Sequence, residues 1–67
     1  MLVKVSGSLG LYAWRVEVDE SAGWEYHEKW KQWLTEYFTT NEYFVAAANV
    51  VYFKSRENAM FFSLTWN

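Results

Sequence analysis

A chain of 67 residues with no cysteine has no covalent staple, so side-chain packing alone must hold its fold together. A domain this short buries only about 60% of the surface its unfolded chain exposes, so its core has to be efficient. Five Trp, five Tyr and five Phe supply that core. Fifteen rings are more than one small core readily hides, and the surplus points to a surface for a partner.

The same constraint bounds the class of object. With 52% of residues apolar and 21% charged, the chain reads as a compact protein rather than a disordered one, a single α+β domain over 1–67. The absence of Cys suits a reducing compartment. Met1-Leu2-Val3-Lys4-Val5 lacks the charged start and long apolar centre of a signal peptide. The longest apolar run, Tyr43 to Phe53, is interrupted by Asn49 and is far shorter than the roughly 20 residues a membrane span needs. The expectation is a cytoplasmic protein. A net charge of −2 disfavours ordinary nucleic-acid binding, which draws its affinity from Lys and Arg on phosphates.

Along the chain, Leu2 to Ser6 alternates around Val3 and Val5, and Gly7-Ser8-Leu9-Gly10 reads as a turn. From Leu11 to Val18, Tyr12, Trp14, Val16 and Val18 point one way and Ala13, Arg15 and Glu17 the other, so the two segments predict an antiparallel hairpin. Asp19 and Ser21 then offer helix caps. At 100° per residue, Tyr26, His27, Trp30, Trp33, Leu34, Tyr37 and Phe38 share one arc, which predicts an amphipathic helix from about Ser21 to Phe38. Asn41 is placed to end it in a left-handed cap. Glu42 to Lys54 is apolar on both faces and reads as one strand, with Ala46-Ala47-Ala48 able to carry a bulge or a short helical start. Ser55 to Asn58 is a polar turn, or one helical turn capped by Ser55. Met60, Phe62, Leu64 and Trp66 then alternate as a last strand. The predicted fold is therefore β-β-α-β-β, a four-stranded antiparallel sheet with one amphipathic helix on one face. The second face, left uncovered, would carry Tyr43, Phe53 and Phe61, with Leu11 adding to it.

Sites of chemistry are sparse. His27 is the lone histidine; it stands beside Glu28, and no nucleophile-elbow pattern surrounds any serine. His27, Glu28 and Glu20 lack the spacing that gathers metal ligands on a helix, and Gly7, Gly10 and Gly23 are too scattered for a phosphate loop. No catalytic residue, metal or cofactor is expected, and the chain reads as a non-enzyme. Tyr43, Phe53 and Phe61, with Lys4, Lys54 and Arg56 nearby, would also serve as a base-stacking platform for single strands, a reading opposed by the negative net charge.

The segment from Phe53 to Trp66 resembles the C-terminus of small tailed-bacteriophage proteins that end in F-K-x-x-x-[DN]-A-x-x-F-x-L-x-W. Phe53, Lys54, Asn58, Ala59, Phe62, Leu64 and Trp66 match that pattern. The resemblance implies a small accessory protein made in an infected bacterium, of a kind that often inhibits a host enzyme or a defence system such as CRISPR. Residues and resemblance together predict a binding module that works by steric occlusion of a host protein and also forms a homodimer. Its contacts would be Tyr43, Phe53 and Phe61, with Trp24, Glu20 and Glu25 at the rim. A structural homo-oligomer subunit is the alternative, and a single-stranded nucleic-acid binder the second.

Overall fold

Val16 and Val18 alternate with Arg15 and Glu17, and the backbone follows them. In the computed structural model, which describes residues 2–67, both valines are fully buried. They lie on β2 (Trp14–Val18), which pairs antiparallel with β1 (Val3–Gly7). The loop between the strands is closed by Ser8 N–H donating to the Ala13 carbonyl at 2.7 Å, and Gly10 supplies a φ of 102° there. Tyr12 thus lies in the loop and not on the strand, and its ring does not join Val16 and Val18 on the predicted face.

The predicted helix start is broken in two. Glu20–Ala22 forms a single 3₁₀ turn, capped by the Asp19 carboxylate accepting from Ser21 N–H at 2.9 Å. Gly23, at φ 92° and ψ 155°, cannot continue a helix, so α1 (Trp24–Tyr37) begins only after it. Its end also differs from expectation. Phe38 closes it in extended conformation, and no non-glycine residue among those described has positive φ, so Asn41 forms no left-handed cap.

The two larger corrections concern the C-terminal third. Glu42 to Lys54 is a hairpin rather than one strand, β3 (Tyr43–Ala47) and β4 (Val50–Phe53), turning at Ala48-Asn49. A bulge between Val45 and Ala47 leaves Ala46 without a cross-strand partner. Asn49 then locks the hairpin onto β2. Its carbonyl accepts from Val18 N–H at 2.8 Å, and its side-chain amide donates to the Val18 carbonyl at 3.0 Å. The last segment is not a strand but α2 (Arg56–Trp66). Ser55 caps it as read, accepting from Asn58 N–H at 3.3 Å, and the helix runs on from that cap.

The result is an α+β fold, β-β-α-β-β-α, with sheet order β1-β2-β4-β3 and every pair antiparallel. Trp30 and Leu34 from α1, and Ala59 and Phe62 from α2, join Val3, Val16, Val18, Val51 and Phe53 in one buried cluster. Both helices therefore cover the same sheet face. The other face stays open, as expected, but it is mixed rather than apolar.

Candidate functional site

Rings that exceed the core's needs emerge in two places. The first is the seam between the helices. Trp33 is its hub, with ring centroids 5.3 Å from Phe61, 4.9 Å from Tyr37, 5.8 Å from Phe62 and 6.0 Å from Trp66. Phe61 also lies 6.3 Å from Tyr37. Helical spacing puts Met60, Phe61 and Leu64 on one side of α2. Tyr37 is 59% exposed, Phe61 47%, Met60 39% and Leu64 79%. This is a continuous apolar surface seated on a packed aromatic base. Glu57, one helical turn before Phe61, gives it an acidic border.

The second is the open sheet face. Cross-strand pairing aligns Ser6, Arg15, Tyr52 and Phe44 in one row across all four strands. The Tyr12 ring lies 6.1 Å from Phe44, and Lys54 Nζ sits 5.3 Å from the Tyr12 centroid. Arg15 donates to the Glu17 carboxylate at 3.0 Å. That bond first, and then the neighbouring Tyr52 hydroxyl, raise the guanidinium pKa further above its already high value. As a surface ion pair it adds little stability.

The residues predicted as the binding surface are redistributed. Phe53 is fully buried on the helix-covered face, with Phe38 at 5.6 Å and Phe62 at 5.8 Å, and meets no partner. Tyr43 is half-buried on that same face, against Phe38 and Phe53. Phe61 is on a helix rather than a strand, also near Phe38. The three do converge around Phe38, on the helix-covered side of the sheet and not on its second face. Trp24 is well exposed at the first residue of α1; Glu25 follows it, and Glu20 lies in the 3₁₀ turn. They sit at the opposite end of α1 from Tyr37, about 20 Å away at 1.5 Å per residue, so they do not border Phe61. Leu11 is exposed in the β1–β2 loop. Tyr37 stands among the arc's aromatic residues, which the sequence offers as core or as a groove-filling contact, whereas the strand reading of the last segment hides Met60 and Leu64. Tyr12, Phe44 and Tyr52 went unnoticed because the hairpin did.

His27 and Glu42 are engaged structurally. His27 Nδ1 accepts from the buried Trp30 indole N–H at 3.0 Å, while its Nε2 faces the Glu20 carbonyl at 3.4 Å. His27 thereby ties the 3₁₀ turn to the core. Among the described residues no three His, Cys, Asp or Glu side chains come together as metal ligands, and no helix is long and apolar enough to cross a membrane.

Glu42 accepts from the Thr39 backbone N–H at 2.8 Å, from the Thr39 hydroxyl at 3.0 Å and from Asn58 at 3.3 Å. The backbone bond first, then the hydroxyl, holds its carboxyl below the usual range. A lowered folded-state pKa contributes stability above the ordinary carboxylate pKa and loses it as pH falls through the folded value. Glu42→Gln should therefore lower the urea midpoint at neutral pH, and its difference from wild type should close as the solution is acidified.

Protein-family profiles, curated proteins and solved structures were all compared with this chain, and none matches it.

Proposed function

We propose that this protein is a non-enzymatic binding module that occludes a surface of another protein, with Phe61 as the central contact. The observation that carries the reading is the exposed patch of Tyr37, Met60, Phe61 and Leu64 across the seam of α1 and α2. Large rings held on a rigid base offer contact area at low entropic cost, and such residues dominate interface energetics. Glu57 at the border favours a partner whose apolar groove is flanked by basic residues. His27 fits a structural part in this reading, since both its ring nitrogens already face partners.

The C-terminal resemblance adds the biological setting, a phage accessory protein directed at a host enzyme or defence system in the bacterial cytoplasm. The fold gives Phe53, Ala59 and Phe62 of that pattern a place in the core, whereas Leu64 projects outward into the proposed contact surface.

The test is capture from a bacterial lysate by tagged wild type and by the double variant Phe61→Asp, Leu64→Asp, both checked for folding by circular dichroism. A stoichiometric host protein bound by wild type and lost in the folded variant is expected. Loss of a central ring contact costs about 2 kcal/mol or more, roughly thirtyfold or more in affinity. Equal capture by both proteins would sink the proposal. Recovery of self-copies alone, with the variant becoming monomeric, would replace it with the homo-oligomer.

A further inference from the structure

The two edges of the sheet are not alike. In an antiparallel pair, opposite residues alternate between those that exchange backbone bonds and those that exchange none. On β1, Asp19 N–H donates to the Leu2 carbonyl and Ser8 N–H to that of Ala13, so the backbone groups of Val3, Val5 and Gly7 point away from β2. Asn67 occupies the first of these positions, accepting from Val3 N–H at 3.2 Å and donating to its carbonyl at 3.4 Å. Lys4 adds a charge to the strand. Both are devices by which an edge resists pairing.

β3, the other edge, has neither. Lys54 N–H donates to the Glu42 carbonyl at 3.2 Å, which makes Glu42 and Lys54 an exchanging pair and, two residues on, Phe44 and Tyr52 another. The β2–β4 pairing has the matching phase. Val18 N–H donates to the Asn49 carbonyl, so Val51 and Phe53 bond toward β2 and Tyr52 toward β3. The N–H and C=O groups of Tyr43 and Val45 are therefore left pointing outward. No residue from Tyr43 to Ala48 is charged, and none is Pro. Phe44 is 55% exposed on the open face and Val45 37% on the other, since α2 packs over β1, β2 and β4. The bulge at Ala46 ends this regular stretch just past Val45.

We propose that β3 pairs antiparallel with β3 of a second copy of the chain, around a two-fold axis at Phe44. In that register Tyr43 of each copy faces Val45 of the other, so every outward backbone group of the stretch meets its complement. Phe44 meets Phe44 as the non-bonded pair, with Cα atoms about 4.5 Å apart. The Tyr12 ring, 6.1 Å from Phe44 in each copy, widens the aromatic contact. Any extended strand matches the backbone, but the second copy matches the rest. Its bulge falls opposite Glu42, outside the paired stretch, whereas a longer regular strand would run into the bulge at Ala46. Glu42 likewise falls opposite Ala46, so no like charges meet. Asn67 on β1 opposes the head-to-tail alternative of β1 on β3, which would grow without closing. So short a contact buries less than the roughly 800 Å² per partner of a standard complex, and the dimer exchanges with monomer. It does not depend on the binding assigned to the helical patch.

The experiment is sedimentation equilibrium from about 10 μM to about 1 mM, with amide hydrogen exchange at both ends of that range. A monomer–dimer equilibrium is expected. The Tyr43 and Val45 amides should be protected only at the high concentration, and the Phe44 amide at both. Phe44→Lys and Phe44→Glu, each checked for folding by circular dichroism, should weaken the dimer by about tenfold or more, since the ring pair is lost and like charges face each other. Mixing these two variants should restore association, because the substituted positions are opposite. Val45→Pro removes an outward N–H that β4 does not use, and should weaken the dimer too. Phe61→Asp should dimerise as wild type does. A monomer throughout, or association that survives Phe44→Lys and is lost in Phe61→Asp, would overturn the proposal. So would oligomers that grow without limit, or a mixture of the two Phe44 variants that associates no better than either alone.

Discussion

Phe62→Ala is expected to unfold this protein or bring it to the edge of unfolding, while Phe61→Ala, one residue away, leaves it standing. Phe62 is fully buried, with ring centroids 5.6 Å from Trp30, 5.8 Å from Trp33 and 5.8 Å from Phe53. It is where both helices and the sheet meet. Phe→Ala at such a site costs about 3–5 kcal/mol through lost transfer energy and the cavity left behind. At about 0.05–0.15 kcal/mol per residue, a domain of this size has about 3–10 kcal/mol in total. Phe61 keeps nearly half its surface in water and should cost about 1 kcal/mol. Leu64→Ala should cost less still. The alternating-strand reading would have Leu64 inside with Phe62, so equal losses at the two positions in urea titrations would contradict the helix. Phe62→Leu, which conserves most of the volume, should recover much of the loss and show that packing is the cause.

That contrast also shows where the sequence was readable. β1, β2 and the body of α1 follow from alternation at Val16 and Val18 and from the helical arc through Trp30 and Leu34, because one periodicity fits each segment. From Met60 to Trp66 two periodicities fit. Met60, Phe62, Leu64 and Trp66 alternate, yet Ala59, Phe62 and Trp66 are also spaced as one helix face. The Ser55 cap decides for the helix, and that cap was visible. The β3–β4 turn was not, since Ala48-Asn49 lacks the glycine that usually marks a hairpin, and the Ala46 bulge absorbs the irregularity instead. Reading one strand too few there and one too many at the end still gave four strands. It also placed Phe53 and Phe61 on a face that neither occupies. The open sheet face followed from a single sheet flanked by too little helix; its rings, Phe44 and Tyr52, became visible only with the hairpin register.

Trp66→Ala should also be strongly destabilising, at about 3 kcal/mol, although Trp66 is only half-buried. Its ring meets Tyr26 edge-on at 5.4 Å and lies 6.0 Å from Trp33, and its backbone carbonyl accepts from the Tyr26 hydroxyl. Burial raises the Tyr26 pKa, so that hydroxyl stays a donor throughout the neutral range. Among the described residues the buried Trp66 indole N–H finds no hydrogen-bond partner. An unmet buried donor costs about 1–3 kcal/mol, so Trp66→Phe, which removes it while keeping a ring, should stay within about 1 kcal/mol of wild type. The residue that follows transmits the effect to the sheet. Asn67 accepts from the backbone N–H groups of Leu2 and Val3 at 3.1 and 3.2 Å, and donates to the Val3 carbonyl at 3.4 Å. β1 is an edge strand, and this one amide occupies the start of its free edge. Trp66→Ala loosens the last turn of α2 and with it the position of Asn67. Hydrogen exchange should therefore report faster exchange at the Val3 amide in Trp66→Ala and in Asn67→Ala, with wild-type protection retained in Trp66→Phe. Unchanged Val3 protection in Asn67→Ala would mean that pairing with β2 alone holds the edge, and that α2 closes the core without bracing the sheet.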